Sequence, residues 1–315
     1  MKRKTLAEKC WFLDLSPAEV SSALEAKKNY RIKLKPKKNG GWRVLYIPPA
    51  VLLKVQKRTK HFLENRYGLT EYKWNGKQMG RGFIKGVCGF AKQGCSHHLK
   101  KHVSSDWFLS FDIVDAFYSV DIQFVRDILV AGDLCPETVD LILDLTTYKG
   151  LFPQGAPTSP FLFWLSLTRH PEGRAKSLWS TLKAILPYEW EITCYIDGFL
   201  ISGLKPIPPP IKAQLLETVE EFGFKTHKIF HRNVKHGMPP ICGLSISRKE
   251  WQWPQDVILP RKTIRKWRGI IGRARFDDSL LPRVKGFISF LRSVYGWNLP
   301  PQIAKPYQQI SHKLK

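Results

Sequence analysis

WFLSFDI, residues 107–113, has the composition of a buried β-strand: large apolar side chains are interrupted by one serine and followed by an aspartate and an isoleucine. A carboxylate near the end of such a strand reaches a cleft while its backbone stays rigid in a sheet. Asp112 is therefore a candidate for chemistry, although a single aspartate in this position is more often a turn residue.

A second carboxylate, Asp197, occupies a comparable position. Residues 191–202 predict a strand, a tight turn at Asp197-Gly198 and a second strand. Two carboxylates that converge can hold a pair of Mg²⁺ ions about 3.5–4 Å apart, which stabilise the attacking and leaving oxygens of phosphoryl transfer. Spacing alone leaves turn chemistry as the commoner explanation for each aspartate.

Between the two aspartates lies LFPQGAPTSP, residues 151–160. Its glycine and prolines indicate a fixed loop that leads into a helix. The free N–H groups and the dipole of a helix N-terminus suit a phosphate or a template backbone. Taken alone, a loop of this composition is more often only a connection.

The rest of the chain mixes helical and strand patterns. Ser16 and Glu19 form a capping-box pattern at the start of a helix that runs to about Lys27. A basic β-hairpin is predicted at 30–34 and 42–47. Helical patterns are predicted at 51–67, 121–132, 137–147, after Pro160, at 211–222 and over 261–315, with an apolar stripe at 282–295. This order predicts an α+β fold.

Composition and charge narrow the function. The 315 residues are 43% hydrophobic, which is enough for a sizeable core. The formal net charge of +25 favours a polyanionic partner (nucleic acid, ribosome or membrane surface) over a merely basic protein. The sequence has no eighteen-residue apolar run, no signal-peptide pattern and no CxxC pair among its six cysteines. We therefore expect a cytoplasmic protein with reduced thiols and no membrane partner.

The C-terminal segment interleaves basic side chains with tryptophan at helical spacing. Only Asp277 and Asp278 supply balancing acids, so we favour binding to a nucleic-acid backbone over a solvated charged face. The basic residues concerned are Arg265, Lys266, Arg268, Arg273, Arg275, Arg283 and Lys285.

Three segments, in order, resemble the palm motifs of reverse transcriptases: FDIVDAFY at 111–118, PQGAPTSP at 153–160 and YIDG at 195–198. Further blocks of that family are similar to residues 38–48, 82–91, 220–228, 241–244 and 283–293. The resemblance covers about residues 30 to 295. The QGAPTSP string is typical of bacterial retron reverse transcriptases and of related antiviral-defence or group II intron-like enzymes.

This resemblance implies an α+β right-hand polymerase fold. Fingers and palm (an antiparallel sheet with helices) would occupy residues 1–255, and a short helical thumb 256–315. It implies an RNA-directed DNA polymerase that copies a structured noncoding RNA and leaves an RNA–DNA hybrid. Since 315 residues leave little room for a fused effector domain, we expect any effector to be a separate protein. Asp112 and Asp197 would be catalytic and, with the Ile113 carbonyl, would hold two Mg²⁺ ions, for which Mn²⁺ can substitute.

The same resemblance assigns the incoming nucleotide to Lys38, Arg43, Asp115, Phe117 and Gln154. A ring at Phe117 would clash with a 2′-hydroxyl and favour deoxynucleotides, although core packing explains a phenylalanine nearly as well. For Lys38 the alternative is an exposed hairpin tip. Lys228 is a candidate for the family's late-palm lysine, but the spacing around it is irregular.

Three positions depart from the family pattern. Gly198 stands where the family has a second aspartate, which removes one anionic ligand and predicts weakened activity; Glu191 and Asp115 are candidates to replace it. Residues 241–243 read ICG where retron enzymes carry Val-Thr-Gly, and 90–98 match their Asn-Ala-x-x-His block only loosely. The differences at 241–243 and 90–98 count against the narrower resemblance to retron enzymes, but not against the resemblance to reverse transcriptases.

Other functions stay open. Gly198 would also fit a polymerase relic that binds a structured RNA and partner proteins as a scaffold in an antiviral defence complex. A template-independent terminal polymerase is a weaker alternative. Metal-capable side chains occur at Cys88, Cys95, His98 and His102, but structural zinc usually shows tighter cysteine spacing, so buried thiols are favoured.

Overall fold

The computed structural model describes residues 5–37, 40–68, 70–74, 77–82, 87–88, 94–237, 239–246 and 257–314. The helices are α1 (Leu6–Cys10), α2 (Pro17–Ala26), α3 (Ala50–Leu63), α4 (Cys95–Lys100), α5 (Ile122–Ala131), α6 (Pro136–Thr146), α7 (Ser159–Thr168), α8 (Leu178–Ile185), α9 (Pro209–Glu221), α10 (Arg261–Arg273), α11 (Leu281–Tyr295) and α12 (Pro301–Gln308). The strands are β1 (Arg31–Pro36), β2 (Trp42–Ile47), β3 (Thr70–Trp74), β4 (Lys77–Gly82), β5 (Val87–Cys88), β6 (Trp107–Ile113), β7 (Glu191–Tyr195), β8 (Gly198–Gly203), β9 (Thr226–Asn233), β10 (Ser245–Ile246) and β11 (Val257–Ile258).

A five-stranded sheet with the order β5-β7-β8-β6-β9 forms the centre of the described chain. β6 pairs antiparallel with β8 and β9, β7 pairs antiparallel with β8, and the short β5 adds a parallel edge. Side chains of β6 alternate between faces: Leu109 and Phe111 belong to one buried cluster, Phe108 to another. Both faces of the sheet are therefore covered.

Helices α5 to α9 pack over the first face. α7 is buried at every position except Pro160, because SPFLFWLSLT offers no polar groups beyond small hydroxyls and a tryptophan N–H. The Ser166 and Thr168 hydroxyls bond within the helix, Thr168 Oγ1 to the Trp164 carbonyl at 2.8 Å. α5 and α8 pack against α7. This layer fixes the start of α7, and with it the preceding loop.

The N-terminal helices and the base of the β1–β2 hairpin form a third cluster. Ser16 and Glu19 make the predicted capping box, with the Ser16 amide donating to Glu19 Oε2 at 3.0 Å. In α3, the buried Gln56 amide donates to Tyr30 Oη and to the Leu145 carbonyl, both at 2.8 Å. These bonds tie α3 to the hairpin base and to α6.

The C-terminal helices α10, α11 and α12 pack over the second face of the sheet. Their cluster includes Phe108 of β6 and Leu291 of α11. Trp267 of α10 stacks on Phe287 of α11 with ring centroids 4.3 Å apart. Trp267 therefore serves packing between these two helices.

The predicted helices and strands are confirmed, with small shifts at their ends. The helix predicted at 51–67 becomes α3 followed by a π-helical turn at Glu64–Gly68. β9 has no counterpart in the pattern-based prediction, because THKIFHRN contains few apolar residues. Residues 83–86 and 89–93, which carry most of the 82–91 block and the start of the 90–98 block, lie outside the described residues. Nowhere in the described chain is a helix both long and apolar enough to cross a bilayer.

Candidate active site

Asp112 and Asp197 meet at one end of the central sheet. β6 and β8 pair so that Asp112 lies opposite Gly198, the residue after Asp197. The Ile113 amide donates to the Asp197 carbonyl at 2.9 Å, which joins the two backbones directly. A Cβ atom placed on Gly198 would lie 3.1 Å from Asp112 Oδ1. The strand end and the turn therefore form one site.

The pKa of Asp197 is raised above its ordinary range. Desolvation by the surrounding protein is the largest cause and repulsion from Asp112 adds to it, while a backbone hydrogen bond, Lys228 and Arg43 act in the opposite direction. Asp197 nevertheless keeps solvent-exposed surface at the tip of the turn. An accessible carboxylate whose charge is opposed by its neighbour gains from a bound cation.

Lys228 supplies a cation to this pair, with its Nζ 2.7 Å from Asp112 Oδ2. The pairing of β6 with β9 shifts register between Ser110 and Asp112, and Lys228 adopts a φ of +52°. A bulge of this kind redirects side chains on the bulged strand. It explains why the sequence spacing around Lys228 is irregular although the lysine reaches the site.

The loop before α7 is fixed against the β1–β2 hairpin. The Tyr46 amide in β2 donates to the Gln154 carbonyl at 2.7 Å. Gly155 has a φ of +122°, and a Cβ atom there would lie 2.5 Å from the Tyr46 carbonyl oxygen, so only glycine fits. Ser159 Oγ donates to the Pro153 carbonyl at 2.8 Å. Gln154 therefore lies at the junction of the hairpin and α7.

Three of the other predicted nucleotide-binding residues lie on β2 and on the turn after β6. Phe117 is half-buried and packs edge-on against Phe163 of α7 at 6.0 Å. Asp115 is exposed with a φ of +46°. Arg43 is exposed on β2 and close enough to influence the pKa of the turn aspartate. Lys38 lies outside the described residues.

The suggestion that Glu191 replaces the missing acid is wrong. Glu191 begins β7, at the opposite end of that strand from the turn, and lies 4.0 Å from Lys101. Asp115 lies in the turn that follows β6, but it is not among the charges that shift the pKa of Asp197. Across the described residues, no three His, Cys, Asp or Glu side chains are grouped so as to hold a metal ion.

A chain of buried polar side chains joins α4 to the hairpin that carries Asp197. His102 contacts Ser202 Oγ of β8 through Nδ1 at 2.7 Å and Thr193 Oγ1 of β7 through Nε2 at 2.6 Å. The Thr193 hydroxyl also contacts His98 Nδ1 at 2.7 Å. His98 and His102 are therefore hydrogen-bonded to serine and threonine hydroxyls, which explains their presence without a zinc site.

Burial keeps both histidines neutral. It lowers the pKa of His98 to about 4 and that of His102 to about 3, with smaller contributions from nearby charges. Each side chain is almost fully buried. The hairpin is thus held through neutral hydrogen bonds on one face and through the β6 backbone at its edge.

A family model described as "Reverse transcriptase (RNA-dependent DNA polymerase)" matches residues 35–229. That span is more than half of the chain, and it contains Asp112, the loop at 153–160 and Asp197. The chain belongs to the reverse transcriptase family. The mixed helix-and-sheet architecture is accordingly that of the right-hand polymerase fold, and RNA-dependent DNA polymerase is the activity by which the family is described.

Among solved structures, the chain is similar to one titled "Structure of apo telomerase from Candida Tropicalis". The two are 11% identical with a TM-score of 0.49, and the match covers 90% of this chain and 57% of that one. The chain thus spans little more than half the telomerase chain, and a likeness at this level bears on neither substrate nor partner. No curated protein matches it in sequence.

Reverse transcriptases generally use divalent metal ions, and the residues at this site fit one. Asp112 and Asp197 offer carboxylate oxygens, the ligands that Mg²⁺ and Mn²⁺ prefer. A cation between them would relieve the repulsion that raises the pKa of Asp197. These two carboxylates are the groups that would hold it, and Gly198 contributes none; the Ile113 carbonyl is a further ligand that the resemblance implies.

The seven basic residues predicted to bind nucleic acid are all exposed on or beside α10 and α11. The acids nearby are engaged elsewhere: Asp278 pairs with Lys313 at 2.9 Å, and Asp277 Oδ1 accepts from the Ser279 amide at 3.0 Å. The basic surface of the reverse transcriptase is therefore left uncompensated by these two aspartates.

Proposed function

We propose that this reverse transcriptase is a retron-type RNA-directed DNA polymerase that copies a structured noncoding RNA into DNA. The observation that carries the proposal is the junction of Asp112 and Asp197, fixed by the Ile113–Asp197 backbone bond and flanked by Lys228. Two acids held by paired strands suit catalysis by positioning and charge neutralisation. Asp112 and Asp197 are its proposed catalytic residues.

Mg²⁺, or Mn²⁺ in its place, would neutralise phosphate charge and polarise the reacting oxygens when bound at this site. Arg43 and Lys38 hold the triphosphate in this proposal, since arginine donates in a planar, bidentate manner. Gln154 and Asp115 line the nucleotide, and the Phe117 ring excludes a 2′-hydroxyl.

Residues 1–255 act as fingers and palm in this proposal, and residues 256–315 as thumb. The exposed basic side chains of α10 and α11 contact the backbone of the template and of the RNA–DNA hybrid product. In this proposal the enzyme works in the cytoplasm and acts together with a separate effector protein.

Primer extension on an RNA template, with Mg²⁺ and with Mn²⁺, tests the proposal. Asp112→Asn should lower deoxynucleotide incorporation by roughly a hundredfold or more, because it removes a charged ligand while preserving shape. Asp144→Asn, at an exposed position of α6, is the matched control and should leave the rate unchanged. DNA synthesis that persists at the parental rate in Asp112→Asn would remove Asp112 from the mechanism.

Gly198 favours one alternative, an RNA-binding scaffold that has lost catalysis. With only two carboxylates at the turn and strand end, the site has less charge to set against two divalent ions than the family pattern provides. The scaffold predicts RNA binding that weakens with salt and no nucleotide incorporation with either metal ion. Incorporation that depends on Asp112 excludes it.

A further inference from the structure

Two cysteines separated by most of the palm meet beside the catalytic turn. Cys95 is the first residue of α4, and Cys242 lies in the turn at 241–244. The Cys95 thiol is hydrogen-bonded to the Cys242 thiol and to Tyr195, two residues before Asp197. Neither cysteine is in a disulfide.

The surrounding structure holds both thiols in place. The turn is closed at both ends, since the amides of Ile241 and Leu244 each donate to the other's carbonyl at 2.9 Å. Ile241, Leu244 and Cys95 belong to the same apolar cluster. Ser96 Oγ donates to the Ser293 carbonyl at 3.1 Å, which anchors the start of α4 on α11. The contact between the thiols therefore joins two fixed elements.

The two thiols differ in exposure and in acidity. Cys242 is exposed, with a φ of +51°, whereas Cys95 is partly buried. The hydrogen bond from Cys242 is the main reason that the pKa of Cys95 falls to about 6, and the pKa of Cys242 is raised in turn. The contact thus favours a thiolate on one sulfur that is stabilised by the thiol of the other, as in reactive cysteine pairs.

We propose that Cys95 and Cys242 are a redox-active pair that forms a reversible disulfide between α4 and the turn at 241–244. With hydrogen peroxide as oxidant, the Cys95 sulfur attacks one peroxide oxygen, which forms a sulfenic acid as the O–O bond breaks and the first water leaves. The Cys242 sulfur then attacks the Cys95 sulfur, so that the S–S bond forms and the S–O bond breaks with release of a second water. Overall, two thiols lose two electrons and two protons, and peroxide is reduced to two waters. A dithiol reverses the step by exchange.

The test uses the full chain, reduced, freed of reductant and treated with hydrogen peroxide at a few equivalents. Remaining thiols are alkylated, and a non-reducing digest is analysed by mass spectrometry. We expect a linked Cys95–Cys242 peptide as the dominant disulfide, a loss of two mass units from the intact chain, and full reversal by dithiothreitol. Cys95→Ser and Cys242→Ser should each abolish the link, and Cys135→Ser, the control, should preserve it.

Three outcomes overturn the proposal: a link no more abundant than other cysteine pairs, sulfinic acid on Cys95 without a link, or zinc that copurifies with the reduced chain and protects both thiols. The same oxidation in urea tests whether the contact in the folded chain directs formation of the disulfide, since unfolding should remove the preference for this pair. Circular dichroism on both serine variants shows that loss of the link does not reflect loss of the fold. None of these readouts depends on polymerase activity.

Discussion

Gly198 sets how much negative charge the turn brings to Asp112. Its φ lies outside the left-handed region, so its backbone does not require glycine. The Cβ of a larger residue would contact Asp112 Oδ1 at 3.1 Å, which is tight but faces the end of a side chain rather than backbone. A carboxylate at this position would therefore join the two that the turn and strand end already hold.

Gly198→Asp tests this directly. If the chain is a weakened polymerase, the new carboxylate should raise incorporation by roughly tenfold or more, equivalent to about 1.4 kcal/mol in the activation barrier. Gly198→Asn is the matched control, since it adds nearly the same volume without charge and should give no gain. Steady-state primer extension measures both, and equal rates in the two variants would favour the scaffold.

Gly155 is constrained by its backbone and by its neighbour. Gly155→Ala should lower the free energy of unfolding by roughly 3 kcal/mol or more, because a disfavoured φ is combined with a clash against the Tyr46 carbonyl. Gly173→Ala is the control: its φ is +113°, yet nothing lies within 4 Å of its Cβ. Urea denaturation should give the control a loss of about 1 kcal/mol, and equal losses would show that the contact with Tyr46 does not matter.

Among the secondary-structure elements, the β7–β8 hairpin is the one that positions the turn with Asp197. Its turn carries Asp197, its edge is bonded to β6, and its face is bonded to α4 through His98 and to the turn after α4 through His102. A buried neutral histidine that bridges two strands orders both of them, at the cost of excluding its charged form. Stability should consequently depend on pH in the acid range.

The direction of this pH dependence follows from the lowered pKa values of His98 and His102. Unfolded histidines take up protons below pH 6.5, whereas His98 and His102 resist protonation until about pH 4 and 3. The stability they contribute is thus present above pH 6.5 and is lost as the pH falls toward 4. For His102 alone the loss is roughly 3 kcal/mol by pH 4.

His102→Asn should therefore be less stable at pH 7 but should show a flatter decline between pH 6.5 and pH 4. Urea denaturation at several pH values measures this slope. His236→Asn, at an exposed position, should keep the parental slope. A parental slope in His102→Asn would mean that His102 is not buried as a neutral ring.

Across the entire chain, charge is distributed unevenly. The net charge of +25 includes an exposed basic surface on α10 and α11, while Asp277 and Asp278 are bonded elsewhere. Phosphate binding there should release counterions and so depend on salt.

Arg265→Gln with Arg268→Gln should weaken binding to an RNA–DNA hybrid. The slope of log binding constant against log salt should fall by roughly 1 to 2, since each phosphate contact contributes about 0.9. Arg174→Gln with Lys183→Gln removes the same charge near α8 and should leave the slope nearly unchanged. Fluorescence anisotropy over a salt series measures both slopes, and equal changes would indicate a nonspecific charge effect.

Local sequence patterns are enough to predict much of this fold. Strand periodicity predicts β6, β7 and β8, and the capping box at Ser16 predicts α2, because these signals depend on neighbours along the chain. The adjacency of Asp112 and Asp197 needs long-range strand pairing, which periodicity cannot supply. The order of motifs shared with the family supplied it instead.

The rest depends on irregular backbone and on contacts between distant elements. Lys228 reaches Asp112 through a bulge, which disrupts the spacing that a pattern would detect. Cys95 and Cys242 meet only because α4 and the turn at 241–244 pack on one cluster. Trp267 stands among arginines in the sequence, but its ring stacks on Phe287.

The seam between Tyr46 and Gly155 limits how the β1–β2 hairpin can move. The amide of Tyr46 is bonded to the loop before α7, and its carbonyl lies where a methyl group at residue 155 would not fit. The base of the hairpin consequently cannot act as a hinge without breaking this seam. A movement of Arg43 toward Asp197 would therefore require β2 to bend between Arg43 and Tyr46, while the base of the hairpin stays in place.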